Sequence, residues 1–458
     1  MAKIFRPNKP SKSSKPRKHK SLAKQLPDFV TTVSHYDHEA KAVCHTDSGR
    51  VAFVSGAIQG ETIKVRPSSY TDTVIKGETL KVIQPSAHRV EAKCKYFSEC
   101  GGCQLQYLNS EEQLKAKQSG LESLMQRHLK LDDIPWQPNI TGPEWHYRRS
   151  ARLSIWFEKN GEFNLGFRKQ KSKEIIDVEN CPVLEKSLNN LLPQLKQMIA
   201  QMQSKKAISH VQMLALSPHD TLIFRALSEL TKQDKEQLIS FAEAHSVRVL
   251  LENNDKTFED IQAPQTKAGT LLEYTVAKTR YQFLPNNFIQ VNKQINEKML
   301  QQAIDWLDIQ PTDNVLDLFS GVGNFTLALA QKAKHVVAVE GVNSMVKQVK
   351  HNAQLNGLMN VSAHHADLST LDDKKKPTWL KPIDKLLLDP ARDGAFDVVK
   401  KIPLLKPKQI LYVSCNPTTL IRDINVLQQA NYKLKKIGLL NMFPHTSHVE
   451  AMALLEYK

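Results

Sequence analysis

NVLDLFSGVGNF, Asn314 to Phe325, is a short apolar run that reaches an acid at Asp317, breaks into a glycine-bearing loop and then resumes helical periodicity. Downstream the same alternation repeats. HVVAVEG precedes a helical pattern from Ser344 to Leu355, then come NVSAHHADL, KLLLDPAR and QILYVSCNP, with KIGLLNMF and HVEAMALLEYK closing the chain. Strand and helix in alternation predict an α/β Rossmann-like domain built on a parallel, doubly wound sheet. Such sheets bind ligands outside the carboxyl ends of their strands. The polar residues fall at those ends: Asp317, Glu340, Asp367, Asp389 and Cys415, one per strand.

The loop Ser320-Gly321-Val322-Gly323-Asn324 begins like a dinucleotide fingerprint, but Thr326 stands where the third glycine belongs. Pyrophosphate binding is thereby disfavoured, while close backbone approach by a ligand is still permitted. An acid ending the second strand can accept hydrogen bonds from a ribose diol. S-adenosylmethionine fits this pattern, with Glu340 on the ribose, Asp367 near the adenine and the glycine loop beside the methionine part. Upstream, FLPNNFIQVN (Phe283 to Asn292) precedes an amphipathic helix and can present Gln290 to the same ligand. Each acid has a plainer alternative as a helix cap or surface charge.

Cys415 lies in YVSCNP, where an apolar strand stops before a proline. Most strand thiols are inert core residues. Position on the predicted ligand rim favours a nucleophile instead. Beside a methyl donor, the electrophile that suits a thiolate is C6 of a pyrimidine, because addition there makes C5 nucleophilic enough to take a methyl group. A base must then remove the C5 proton. Glu450, in HVEAMALL, is the candidate, and Asp389 can hold the polar edge of the ring or close the cofactor site.

The rest of the chain points to RNA. Its 458 residues carry a formal charge of +16, and residues 1–27 hold nine Lys and Arg with no acid, leaving +7 for the remainder. That Pro- and Ser-containing tail predicts disorder and counterion-release affinity for a polyanion. From residue 28 to 89, short alternating stretches punctuated by Gly49, Gly56, Gly60 and Gly77 predict an OB-like β-barrel, with Cys44 as a small core residue. WHYRRSARLSIWF, Trp145 to Phe157, interleaves arginines and rings in a manner suited to RNA. No apolar stretch approaches the roughly 18 residues of a membrane span, so a cytoplasmic protein without membrane attachment is expected. Six cysteines are too few for a disulfide framework. Cys94, Cys100 and Cys103 form C-x5-C-G-G-C, and Cys181 can complete a four-sulfur site, for which spacing alone leaves zinc and an iron–sulfur cluster both open.

Together, CGGCQLQ, FLPNNFIQVN, LDLFSGVGNF, LLLDPAR, YVSCNPTTL and SHVEAMALL make residues 29–458 resemble the RNA uracil-5-methyltransferases. The resemblance implies a TRAM barrel over 28–89, a central α+β iron–sulfur and RNA-binding domain over 90–282, and a methyltransferase domain over 283–458. It implies Cys415 as nucleophile, Glu450 as base, and Gln290, Phe319, Asn324, Glu340, Asp367 and Asp389 around S-adenosylmethionine. It also implies a [4Fe-4S] cluster on Cys94, Cys100, Cys103 and Cys181. Within the family the transfer-RNA branch lacks both barrel and cluster, and one ribosomal branch has the cluster without the barrel. A chain with both resembles the branch that methylates a uridine of 23S rRNA, and a monomer is expected. Two rivals from other classes are a non-catalytic RNA-binding protein, disfavoured by the intact Cys415 and Glu450, and a nucleotide-dependent oxidoreductase, disfavoured by Thr326.

Overall fold

The structure, a computed structural model, describes residues 26–158, 160–263, 270–367 and 382–458. The basic tail read from the sequence lies, up to residue 25, outside the described residues. The chain divides into two compact units, one of residues 1–36 and 41–87, the other of residues 37–40 and 88–458.

In the first unit the strands are β1 (Phe29–Thr32), β2 (His35–Tyr36), β3 (Ala42–His45), β4 (Val51–Ser55), β5 (Thr62–Tyr70) and β6 (Val74–Gln84), hydrogen-bonded in the order β1-β5-β6-β4-β3-β2. β1 pairs with β5, and after a bend at Val33 and Ser34 the same run continues as β2 and pairs with β3. One bent strand therefore joins both ends of the sheet and closes it, as the spacing of glycine turns predicts. Alternate residues point inward. Val33, Ala52, Val54, Ile63, Val65 and Ile75 fill the interior, together with a fully buried Cys44.

The second unit begins with α1 (Ser110–Leu129) and then builds a seven-stranded sheet from β7 (Ser150–Phe157), β8 (Phe163–Arg168), β9 (Ile175–Asp177), β10 (Ile208–Leu214), β11 (Thr221–Ala226), β12 (Arg248–Glu252) and β13 (Phe258–Asp260), ordered β13-β12-β11-β10-β7-β8-β9. Helices α2 (Lys186–Gln201) and α3 (Lys232–His245) contribute Leu188, Leu192, Leu195, Leu238 and Phe241 to the core it shares with them. A hairpin, β14 (Leu272–Val276) and β15 (Thr279–Phe283), leads to α4 (Lys293–Trp306).

The last sheet holds the site. Its strands are β16 (Asn314–Leu318), β17 (His335–Glu340), β18 (Val361–His365), β19 (Lys385–Leu388), β20 (Gln409–Ser414), β21 (Tyr432–Leu440) and β22 (Glu450–Tyr457), in the order β18-β17-β16-β19-β20-β22-β21. Helices α5 (Asn324–Ala330), α6 (Asn343–Leu355), α7 (Phe396–Val399) and α8 (Pro417–Gln429) connect them. The first five strands are parallel as expected, but β22 runs antiparallel between β20 and β21, because a short loop joins it to its neighbour β21. Strand reversal brings the beginning of β22 alongside the end of β20, with Ser414 opposite Ala451.

Alternating side chains of these strands feed two cores: Val315, Leu387 and Leu411 face α4 and α5, whereas Leu316, Leu386 and Ile410 face α7 and α8. α1 belongs to the second face. Although it precedes the central sheet in the chain, its Leu121, Met125 and Leu129 stack at helical spacing in the same core as Leu420 and Ile424 of α8. Asn109 caps this helix, accepting from the Glu112 N–H at 2.9 Å.

Candidate active site

Four of the five rim residues gather into one electrostatic cluster. β16 places Asp317 fully inside the sheet, where burial, with added repulsion from Asp389 and Glu340, pushes its pKa up to about 7 against a hydrogen bond from Thr326. The backbone then turns. Phe319 sits at φ 65, and Phe319 and Ser320 donate their N–H groups to the Val339 carbonyl. A left-handed conformation at a bulky residue is costly and is maintained only where surrounding bonds enforce it. Gly323, at φ 95, caps α5, and its missing Cβ is what allows this conformation without strain.

Glu340 ends β17 beneath that loop. Its two carboxylate oxygens accept the N–H groups of Gly321 at 3.1 Å and Val342 at 3.0 Å, so it fixes the loop as well as presenting charge. Asn324 is tied by a reciprocal amide pair to Asn296 of α4, at 2.9 and 3.1 Å, while its carbonyl accepts the Tyr281 hydroxyl. Gln290 lies on the loop before α4 and its carbonyl accepts Arg149 Nε at 2.7 Å. Asp367 is exposed just beyond β18.

At the other end of the rim, Cys415 follows β20 immediately and precedes Asn416, whose side chain caps α8. The thiol is half-buried, and it lines a cavity of about 160 Å³ with Arg392, Asn416, Ser447, His448 and Val449. Burial, then the nearby Glu450 carboxylate, raise its pKa; Arg392 opposes them. Glu450 opens β22, only 6% exposed. Its burial lifts its pKa to about 7, with Arg392 again acting the other way. Asp389, just past β19, is pushed up to about 8 by burial and by Glu450. Arg392 is anchored by its carbonyl, which accepts Asn416 Nδ2 at 2.9 Å, and its guanidinium meets His448 Nδ1 at 2.9 Å.

This arrangement offers a thiol and, within its field, a carboxyl group that changes protonation near neutrality, the pairing needed for nucleophilic addition and proton removal. The Glu340 carboxylate makes the adjoining region electronegative, which suits a cationic ligand such as a sulfonium. Reading the sequence overlooked Arg392 and His448; the signals were the final residue of DPAR and the histidine two before Glu450. It also expected the arginines of 145–157 to face RNA together. Arg149 does not: it is 1% exposed, stacked 4.3 Å over the Tyr274 ring, whereas Arg152 on β7 is exposed.

Cys94, Cys100, Cys103 and Cys181 interact with one another. Cys103 feels Cys100 and Cys94, and Cys181 feels Cys103 and Cys94, each interaction adding to the rise that burial imposes on the thiol pKa. Among the described residues no group of three or more His, Cys, Asp or Glu is arranged to hold a metal ion. No described helix is long and apolar enough to cross a membrane.

Comparison with known proteins agrees with the geometry. Residues 109–458 match the family model described as tRNA (Uracil-5-)-methyltransferase. The chain is 40% identical over 448 residues to "23S rRNA (uracil(1939)-C(5))-methyltransferase RlmD" of Shewanella halifaxensis, covering 97% of this chain and 98% of that one. The protein of the same description from Shewanella woodyi is 41% identical over 445 residues, with the same coverage. Among solved structures, the Pyrococcus abyssi tRNA (uracil-54, C5)-methyltransferase in complex with S-adenosyl-L-homocysteine superposes with a TM-score of 0.69 at 21% identity, covering 93% of this chain and all of that one, a likeness of fold. With its thiol and carboxyl group on neighbouring strand ends of a methyltransferase sheet, the chain belongs to the tRNA (Uracil-5-)-methyltransferase family.

Proposed function

We propose that this protein methylates C5 of a uridine in 23S rRNA through a transient bond between Cys415 Sγ and C6 of the base. The observation that carries the reading is the placement of Cys415 and Glu450 at the adjoining ends of antiparallel β20 and β22, close enough for the Glu450 charge to raise the thiol pKa. Curated relatives about 40% identical over nearly the whole chain, described as acting on 23S rRNA, support the choice of RNA.

S-adenosylmethionine supplies an electrophilic methyl group. Gln290, Phe319, Asn324, Glu340, Asp367 and Asp389 are the residues we assign to its binding, and the electronegative rim favours its positive charge. Arg392 stabilises the thiolate of Cys415. The thiolate adds to C6, and the electrons of the C5–C6 double bond move toward the C4 carbonyl oxygen. C5 then takes the methyl group as the bond from the methyl carbon to the sulfonium sulfur breaks, leaving a neutral thioether. Glu450 next removes the C5 proton and the C6–S bond breaks, restoring the double bond and returning Cys415 as the thiolate. With its pKa near 7, Glu450 is matched to accepting a proton at neutral pH. Asp389, protonated at neutral pH, can donate a hydrogen bond to the polar edge of the ring. The uridine has to leave its stack to reach the thiol.

We assign Cys94, Cys100, Cys103 and Cys181 to a [4Fe-4S] cluster. An all-sulfur donor set suits it, and the thiols lie within one another's field. The enzyme is read as a cytoplasmic monomer whose partner is 23S rRNA.

The test is incubation with S-adenosylmethionine and a 23S fragment carrying 5-fluorouracil. Fluorine leaves no C5 proton to remove, so a covalent protein–RNA complex should accumulate and Cys415→Ala should abolish it. Normal methylation by Cys415→Ala would overturn the reading.

A further inference from the structure

The loop 441–449 joins β21 to β22, brings His448 into the Cys415 cavity and delivers the chain to Glu450. It is held by a distant stretch of chain. Gln113, buried on α1, accepts the His445 N–H at 2.8 Å; its side-chain amide lies 3.1 Å from His445 Nδ1 and donates to the Leu108 carbonyl at 2.8 Å. The N–H groups of Gln104 and Leu105 both donate to the His445 carbonyl, at 2.8 and 3.0 Å. Gln104 then uses both ends of its side chain, accepting the Ser447 N–H at 3.3 Å and donating to the Gly101 carbonyl at 2.8 Å. Lys117 donates to the Phe443 carbonyl at 3.1 Å and Tyr147 to the Pro444 carbonyl at 3.0 Å.

His445 is where the bonds from Gln113 and from the backbone of Gln104 and Leu105 meet. Its φ is 65, a conformation uncommon for a histidine, and its ring stacks on Trp145 with centroids 3.8 Å apart. Both backbone polar groups of His445 end on residues 104–113, which directly follow Cys103. A bend of this kind persists only while its neighbours enforce it. Here it lies three residues before His448 and five before Glu450, so releasing it would move both relative to Cys415.

We infer that Gln104 and Gln113 are positioning residues for methyl transfer: Gln113 acting through His445 and Gln104 through Ser447, they lock the 441–449 loop so that Glu450 is aligned for proton removal, and they tie that alignment to the folded cysteine loop. The inference rests on Glu450 being the base proposed above. It accounts for the first glutamine of CGGCQLQ, which ligand chemistry leaves unexplained.

The experiment compares Gln104→Leu, Gln104→Glu and Gln113→Leu with the parent and with Glu450→Gln, each as the full chain. Amide hydrogen exchange across 441–449 should speed up at least about tenfold in both leucine variants, because the Ser447 or His445 N–H loses its acceptor. kcat should fall roughly 10- to 100-fold with KM for S-adenosylmethionine within about twofold, the scale expected for a slightly misplaced catalytic group. A methylated covalent intermediate should accumulate on unmodified RNA, as in Glu450→Gln. Gln104→Glu keeps an acceptor for Ser447 and should recover most of the turnover. Gln104 is half-exposed, so its leucine variant decides the matter if Gln113→Leu does not fold. Unchanged exchange or unchanged kcat in folded Gln104→Leu overturns the proposal. If Glu450→Gln traps the intermediate and the glutamine variants do not, the clamp fails while the base stands. If Glu450→Gln turns over normally, the base assignment fails and, with it, the inferred role of the clamp in proton removal, whatever the exchange shows.

Discussion

The Thr326 hydroxyl donates a 2.5 Å hydrogen bond to the carboxylate of Asp317, and the acid's other oxygen is buried with no hydrogen-bond partner among the described residues. An acid so placed resists ionisation, and its pKa of about 7 is the consequence. The linkage follows from that direction. A carboxyl whose folded pKa lies above its unfolded value contributes stability below the unfolded pKa, near 4, that is lost as pH rises through the folded value. The parent should therefore lose stability between about pH 4 and pH 8. At about 1.4 kcal/mol per unit, Asp317 alone accounts for a loss on the order of 4 kcal/mol. Asp317→Asn keeps an acceptor for Thr326 and cannot ionise, so urea midpoints measured across this range should fall less steeply in the variant. An equal slope in both proteins would remove Asp317 as the source.

Glu450 should dominate the pH dependence of proton removal. Its carboxyl has to be ionised to accept the C5 proton, so the rate of the proton-removal step should rise with pH and level toward its maximum above about 7. Replacing it by glutamine should reduce kcat roughly 10²- to 10⁴-fold, the usual worth of a positioned base, and should erase that acidic limb. Adduct formation with 5-fluorouracil RNA should survive, since it needs only the thiol and the methyl donor. Rapid-quench kinetics at several pH values separates the two effects.

Arg392 is the side chain whose charge favours the Cys415 thiolate against Glu450 and Asp389. Removing it as Arg392→Gln should raise the pH of half-maximal alkylation of Cys415 by roughly one unit, the lower end of what a neighbouring opposite charge provides. Rates of iodoacetamide labelling, read by mass spectrometry at the Cys415 peptide, check this. No movement of the midpoint would remove Arg392 as the group that favours the thiolate.

These groups differ in how far the sequence revealed them. β16, β17 and the acids that end them are legible because a strand entering a loop at an acid is a local pattern, and period-two apolar runs fix which residues are inside. Thr326 could be recognised as a break in a glycine fingerprint, but its bond to Asp317 depends on how α5 turns back over β16. The docking of α1 onto α8 joins residues about three hundred apart, and nothing in the helical periodicity of 110–129 names its partner. Arg149 was misleading for a related reason. An arginine among aromatics has the same local pattern whether it faces solvent or, as here, lies over Tyr274 with its Nε on the Gln290 carbonyl. The reversal of β22 places Glu450 beside Cys415, and only the short loop after β21 hinted at it.

Glu340 gives a test of the cofactor region that is independent of the thiol. Its oxygens already accept the Gly321 and Val342 N–H groups, each with a further lone pair able to meet a ribose hydroxyl. Glu340→Ala removes both functions: two amides lose their acceptor and the Gly321–Gly323 turn loses its support. Hydrogen bonds to a charged group contribute about 1.5–3 kcal/mol each. Losing even one in the complex should weaken S-adenosylmethionine binding roughly 10- to 100-fold by calorimetry. Glu340→Gln retains one acceptor oxygen and should fall between the two. RNA affinity should stay within about twofold in both, because Glu340 lies beneath the loop rather than in the Cys415 cavity; a matching loss of RNA binding would instead show that the substitutions disturb the whole rim.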